Sequence, residues 1–118
     1  MLLDAYRKTQ SRTASPRATE HRLLSEITSE MIEARTMGLS GAALMPPLHR
    51  NRQVWSVLSA LCGAPENQLP ATLRASIMSL ALWVGRYTSQ VVNGSESLDA
   101  LIEVNTTVME GLAVEHPA

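Results

Sequence analysis

Residues 70–94, PATLRASIMSLALWVGRYTSQVVNG, form a helix-length stretch with apolar side chains on two sides. Pro70 is typical of a helix start, and Asn93-Gly94 is typical of a left-handed cap at a helix end. One apolar set recurs at three- and four-residue intervals and is expected to face a core: Leu73, Ile77, Leu80, Val84, Tyr87 and Val91. A thinner set lies almost opposite: Ala71, Ala75, Met78, Leu82 and Gly85. Such a helix is either central in its bundle or covered by a partner.

The same spacing and similar boundary residues divide the rest of the chain. Ser15-Pro16 predicts the start of one helix and Gly63 the end of another, and no segment alternates as a strand would. The predicted helices are Leu2 to Ser11, Pro16 to Thr36, Pro47 to Gly63, Pro70 to Asn93 and Leu98 to Leu112, with a break from Gly38 to Pro47. The sequence thus predicts an all-α fold: a compact bundle of about five helices in a single domain, residues 1–118, with a short first helix and a frayed tail from Ala113.

Composition and charge exclude several classes of protein. The 118 residues are 45% hydrophobic and 18% charged, which is typical of a folded domain. A net charge of -1 argues against a general binder of DNA or another polyanion. Basic residues outnumber acidic ones up to Ser59, but beyond it only Arg74 and Arg86 stand against six acidic residues. This asymmetry favours a protein partner.

The sequence also predicts a cellular compartment. Its start lacks the pattern of a signal peptide, and its longest apolar stretch, near Ile77 to Val84, is too short to span a bilayer. Cys62 is the only cysteine, so no intrachain disulfide is possible. We therefore expect a soluble cytoplasmic protein without membrane insertion.

Residues for catalysis or metal binding do not occur in recognisable patterns. Cys62 and the serines have no signature of a neighbouring base, and His21, His49 and His116 are scattered along the chain. No glycine-rich phosphate loop is present. The expectation is a protein that is not an enzyme and that needs no metal or other cofactor.

Three polar residues fall inside predicted apolar faces. Asn51 and Asn105 each lie at the centre of such a face, and Glu20 lies among Leu23, Leu24, Ile27 and Met31. A buried amide without hydrogen bonds costs about 1–3 kcal/mol, so we expect both asparagines to be structural and to bond between helices. For Glu20 we expect an internal pair with Arg17 or another arginine.

Short strings occur along nearly the whole chain in a distinctive order. They are Ala5-Tyr6, Ser15-Pro16-Arg17-Ala18-Thr19-Glu20, Asn51-Arg52-Gln53-Val54-Trp55, Asn67-Gln68-Leu69-Pro70, Leu73-Arg74-Ala75, Ile77-Met78-Ser79-Leu80, Leu101-Ile102-Glu103-Val104-Asn105 and Met109-Glu110-Gly111-Leu112. This order resembles the FlaF family, small bacterial proteins of flagellar biosynthesis. Departures are mild: Ser15, Val54 and Val104 replace Thr, Leu and Ile, and Pro46-Pro47 interrupts a stretch that is usually more helical.

The resemblance implies a cytoplasmic factor for flagellin production and export. It implies that the protein acts as a chaperone or regulator of flagellin, so that flagellin is its partner. The FlbT regulator is a possible second partner. We expect Met78 and Leu82, with Arg52, Trp55 and Arg74, to contact the partner. The alternative for the second apolar set is that another helix of the bundle covers it.

A second function of a different class stays open. It is post-transcriptional regulation by direct binding to flagellin mRNA. Its basis is a basic set: Arg7, Lys8, Arg12, Arg17, Arg22, Arg50 and Arg52. The near-neutral net charge and the lack of aromatic stacking residues argue against it.

Overall fold

The computed structural model describes residues 16–114, which form a bundle of α-helices. The helices are α1 (Pro16–Thr36), α2 (Met45–Gly63), α3 (Ala71–Val92) and α4 (Asp99–Val114), with a short 3-10 helix at Gly41–Leu44. Within this range there is no β-strand, which confirms the all-α prediction. Four α-helices are described rather than five, because the predicted helix from Leu2 to Ser11 lies outside the described residues.

Two predicted boundaries shift by two residues each. Helix α2 begins at Met45, two residues before the predicted start, because Pro46 and Pro47 occupy its first turn, where a missing N–H breaks no helical bond. The predicted break before it contains the 3-10 helix. At the other end of the chain α4 continues to Val114, so only residues 115–118 of the predicted tail lie outside the described part.

Helix α2 is the central element of the bundle. It packs against α1 on one flank and α3 on the other, while α4 lies along α1 with a smaller contact to α3. The largest fully buried apolar side chains come from all four helices: Leu24, Met31, Leu48, Trp55, Leu58, Ile77, Val84, Leu101 and Leu112. On the predicted inner face of α3, Ile77, Val84 and Val91 are buried, whereas Leu73, Leu80 and Tyr87 are half-buried at its edges.

A buried hydrogen-bond network joins three helices around Asn105. The Asn105 Oδ1 atom accepts a bond of 2.8 Å from the Trp55 indole N–H, and its Nδ2 donates to Asn51 Oδ1 at 2.9 Å and Thr28 Oγ1 at 3.0 Å. Asn51 and Asn105 are wholly buried. Because α1, α2 and α4 each supply a member, the network fixes the register of these helices.

A second buried polar group anchors the connection between α2 and α3. Glu20 is wholly buried, and its Oε1 lies 3.4 Å from Asn67 Nδ2. Asn67 also donates to the Leu61 carbonyl and accepts from the Leu69 N–H. The expected pair of Glu20 with Arg17 involves a side chain outside the described ones.

The lone thiol belongs to the core near this connection. Burial raises the pKa of Cys62 to about 11, the Glu20 carboxylate contributes to the rise, and Arg74 opposes it. The thiol is therefore protonated at neutral pH, which suits a small core side chain rather than a nucleophile.

Two glycines of the α3 region should respond oppositely to alanine. Gly94 follows α3 at φ +81°, where an L side chain is strained, so Gly94→Ala should lower the free energy of unfolding by about 1 kcal/mol. Gly85 lies inside α3, and a Cβ atom at this position would meet only open space, so Gly85→Ala should raise that free energy by about 0.5–1 kcal/mol. Urea titration followed by circular dichroism measures both changes. The same sign for both would contradict the assigned end of α3.

Candidate protein-binding groove

Helices α2 and α3 are antiparallel neighbours joined by the short connection 64–70. Arg52 Nη2 donates to the Gly85 carbonyl at 3.0 Å and to Ser89 Oγ at 2.8 Å. Toward the other end of the pair, Gly63 lies beside the Met78 methyl group. These contacts set the register of the two helices.

A groove of about 500 Å³ lies between these two helices, which we call the α2–α3 groove. Its lining is mostly small: Ser56, Ser59, Ala60, Ala81 and Gly85, with Leu82 on one wall and Arg52, Trp55 and Val84 completing it. Small side chains leave the backbone of both helices accessible along the groove, so an incoming helix can approach it closely.

Two members of the second apolar set of α3, Leu82 and Gly85, line this groove, and the large side chains of the set are exposed. Leu82 is 72% exposed and Met78 is 41% exposed, and Ala71 and Ala75 are exposed as well. Met78 and Leu82 are four residues apart, so their side chains lie on the same row of the helix surface. The set was expected either to contact a partner or to be covered by another helix. No helix within residues 16–114 covers it.

The other residues expected to contact a partner differ in position. Arg52 is exposed at the groove, although one of its nitrogens already crosslinks α2 to α3. Trp55 lines the groove, but it is only 1% exposed and is bonded to Asn105, so most of its ring belongs to the core. Arg74 is half-buried near Cys62, and its buried Nε has no hydrogen-bond partner among the described residues.

Sequence reasoning missed a second, smaller groove between α1 and α2. Its volume is about 220 Å³, and Val57, 46% exposed, lies at its edge. It is lined by Leu23, Glu26, Ile27, Glu30, Arg50, Gln53, Val54 and Val57. An ion pair of 2.8 Å between Arg50 and Glu30 crosses it. The only sequence signal for this groove was the three-residue spacing of Val54 and Val57. That spacing is the same whether the helix borders a groove or packs one broad face into the core.

The described helices carry neither a metal cluster nor a membrane span. Between residues 16 and 114 no group of three or more His, Cys, Asp or Glu side chains is placed to hold a metal ion. None of these helices is long and apolar enough to cross a membrane. Of the two grooves described, the α2–α3 groove has the larger volume and the more exposed apolar side chain, Leu82.

Comparison with known proteins adds a family match over most of the chain. A family model described as "Flagellar protein FlaF" matches residues 3–112. No curated protein and no solved structure gives a match. The matched range includes both helices that form the α2–α3 groove.

Proposed function

Because the chain belongs to the flagellar protein FlaF family, we propose that it is a non-catalytic factor of flagellar biosynthesis that binds flagellin in the cytoplasm. Binding would promote the synthesis, stability or export of flagellin. The observation that supports a binding role is the open α2–α3 groove with Leu82 and Met78 exposed beside it.

The geometry of the groove suits a helical ligand. Flagellin monomers keep their terminal helical segments unpacked until assembly, and such segments expose apolar faces that need cover. A groove between two packed helices accepts the apolar side of a third helix. Leu82 supplies apolar area, and Met78 supplies a flexible side chain that adapts to the ligand surface. The FlbT regulator is a second candidate partner, through the same or another surface.

Direct RNA binding has less support than protein binding in the described part of the chain. Arg50 is paired with Glu30, and Arg52 bonds to α3 through Nη2 but keeps its other donors. Trp55 is buried, while Trp83 and Tyr87 are stacked on each other with centroids 4.7 Å apart. Arg7, Lys8 and Arg12 lie outside the described residues. RNA binding is therefore an alternative that the binding experiment distinguishes.

One aspartate in the groove and one beside it should abolish flagellin binding without unfolding the protein. Met78→Asp with Leu82→Asp places charges on exposed positions, so the fold is retained, but a desolvated apolar contact with the ligand is lost. We expect the affinity for purified monomeric flagellin to fall at least about 100-fold, because central apolar contacts contribute most of the energy of such interfaces. Calorimetry measures binding, and thermal melts of the same samples measure folding.

The matched control is Met37→Asp with Val57→Asp. These side chains are 65% and 46% exposed, so the control introduces the same charges at similar exposure but outside the α2–α3 groove. It should bind flagellin normally. A folded groove variant that still binds flagellin would contradict the proposed site. Retention of flagellin mRNA by the protein when nuclease is omitted, with no affinity for flagellin itself, would favour the RNA-binding alternative.

A further inference from the structure

The two helices that form the groove have an unusual charge pattern. Helices α2 and α3 carry four arginines, Arg50, Arg52, Arg74 and Arg86, and neither Asp nor Glu. All eleven acidic residues of the chain lie in other segments. The surface beside the groove therefore combines apolar side chains with positive charge, although the whole chain has a net charge of -1.

Two arginines also flank the exposed apolar pair on α3: Arg86, which is exposed, and Arg74, which is half-buried. Arg74, Met78, Leu82 and Arg86 follow one another at intervals of four residues, so they form one row on the helix surface. At 1.5 Å per residue this row is about 18 Å long. Arg86 is exposed and makes no hydrogen bond or ion pair within residues 16–114. Its guanidinium is available at the Leu82 end of the row.

Arg52 offers a second guanidinium at the same end of the groove. Both of its hydrogen bonds to α3 use Nη2. A guanidinium has five N–H donors on three nitrogens, so Nη1 and Nε retain donors for a carboxylate. The bonds to Gly85 and Ser89 hold the side chain in place, which lowers the entropic cost of binding an anion.

We propose that the occupant of the α2–α3 groove is an amphipathic helix whose apolar stripe is flanked by Asp or Glu side chains. Its apolar residues pack against Leu82 and Met78, and its carboxylates bind Arg86 and Arg52. This inference rests on the proposed function, in which the groove binds a helical ligand, and it specifies the chemistry of that ligand.

Charge argues against two other occupants. A second copy placed by a twofold axis would bring the same arginine-bearing face against itself, and like charges would repel. The chain's own segment 2–11 carries Arg7 and Lys8 against one acidic residue, so it has the wrong net charge. An acidic amphipathic helix meets both the apolar and the electrostatic requirement.

The test uses two synthetic helical peptides of about 18 residues with the same apolar stripe. One carries Glu on both flanks of the stripe and the other carries Lys. With the full chain at about 50 mM salt, the Glu peptide should bind at least about 10-fold more tightly than the Lys peptide, and the difference should shrink at about 500 mM salt. Fluorescence anisotropy of labelled peptides measures both affinities.

Charge reversal on the protein identifies the groups involved. Arg86→Glu should remove the preference for the Glu peptide, whereas Arg22→Glu, the same change at an exposed position on α1, should preserve it. Leu82→Asp should weaken binding of both peptides. A Lys preference, equal affinities at low salt, or binding that is insensitive to Leu82→Asp would overturn the inference. Self-association that depends on Leu82 and excludes the Glu peptide would also overturn it.

Flagellin and the peptides test separate statements. Selective binding of the Glu peptide in the groove, with no binding of flagellin, would support the ligand chemistry and contradict flagellin as the partner. Flagellin binding that Met78→Asp with Leu82→Asp abolishes, without a preference between the peptides, would support the proposed function and overturn this inference.

Discussion

Replacing Ile77 with aspartate will unfold the protein at about 25 °C, because the cost approaches the whole stability of a domain of this size. Ile77 is fully buried on the inner face of α3. Loss of its aliphatic side chain costs about 2–5 kcal/mol, and burial of a carboxylate adds several more. The far-ultraviolet circular dichroism spectrum of Ile77→Asp should lack most of the helical signal, and thermal melting should show no cooperative transition.

Two neighbouring variants separate the position from the substitution. Ser76→Asp adds the same charge one residue earlier, where the side chain is exposed, and should change the free energy of unfolding by no more than about 0.5 kcal/mol. Ile77→Val should cost about 0.5–1.5 kcal/mol. Cooperative melting of Ile77→Asp close to the wild-type temperature would show that this face of α3 is not in the core.

Asn105→Asp should produce the second-largest loss of stability, about 3–5 kcal/mol. The substitution removes the Nδ2 donor from Thr28 and Asn51 and leaves a carboxylate in a wholly buried position. We expect the melting temperature to fall by about 10–20 °C near pH 7. Thermal denaturation of the variant and the wild type measures this stability deficit, the difference between their melting temperatures.

The deficit should shrink as the pH falls. Burial raises the pKa of the introduced carboxyl in the folded state above about 3.9, its value in the unfolded chain, so the folded variant takes up a proton first. The part of the destabilisation that comes from the ionised carboxylate is therefore complete above the folded pKa. This part disappears below the unfolded pKa. Melts of the variant and wild type at about pH 7 and about pH 4.5 test this sign. A constant or growing deficit would contradict burial of the carboxylate.

Asn51→Asp and Gln53→Glu are the matched controls for this network. Asn51 uses only its Oδ1 as acceptor, and its buried Nδ2 has no hydrogen-bond partner within the described residues, so Asn51→Asp loses no bond and should cost less than Asn105→Asp. Gln53 is exposed on the same helix, and Gln53→Glu should change stability by no more than about 0.5 kcal/mol. Equal costs at Asn51 and Asn105 would show that charge burial outweighs the hydrogen bonds.

Helix positions were predictable because they depend on local sequence. The apolar period of residues 73–91 and the boundaries at Pro70 and Gly94 identified α3 without knowledge of any tertiary contact. The start of α2 was misplaced because Pro46-Pro47 suggested an interruption, although a first helical turn tolerates both residues.

The openness of the groove depends on packing that the sequence does not display. A helix with two apolar sides has the same pattern whether the second side is covered or exposed. Leu82 is exposed because α1 packs on the opposite flank of α2 from α3. The hydrogen bond between Trp55 and Asn105 was not predictable for a related reason, since the two residues lie 50 positions apart along the chain.

The network around Asn105 also governs when the nascent chain can close its core. Thr28 and Asn105 are separated by 77 residues, so α1, α2 and α3 are synthesised before their buried polar partner exists. Until α4 docks, Trp55 and the Asn51 amide lack the bonds that offset the cost of their burial. Because Trp55 lines the α2–α3 groove, a chain truncated before α4 would leave the indole N–H beneath the groove without its acceptor.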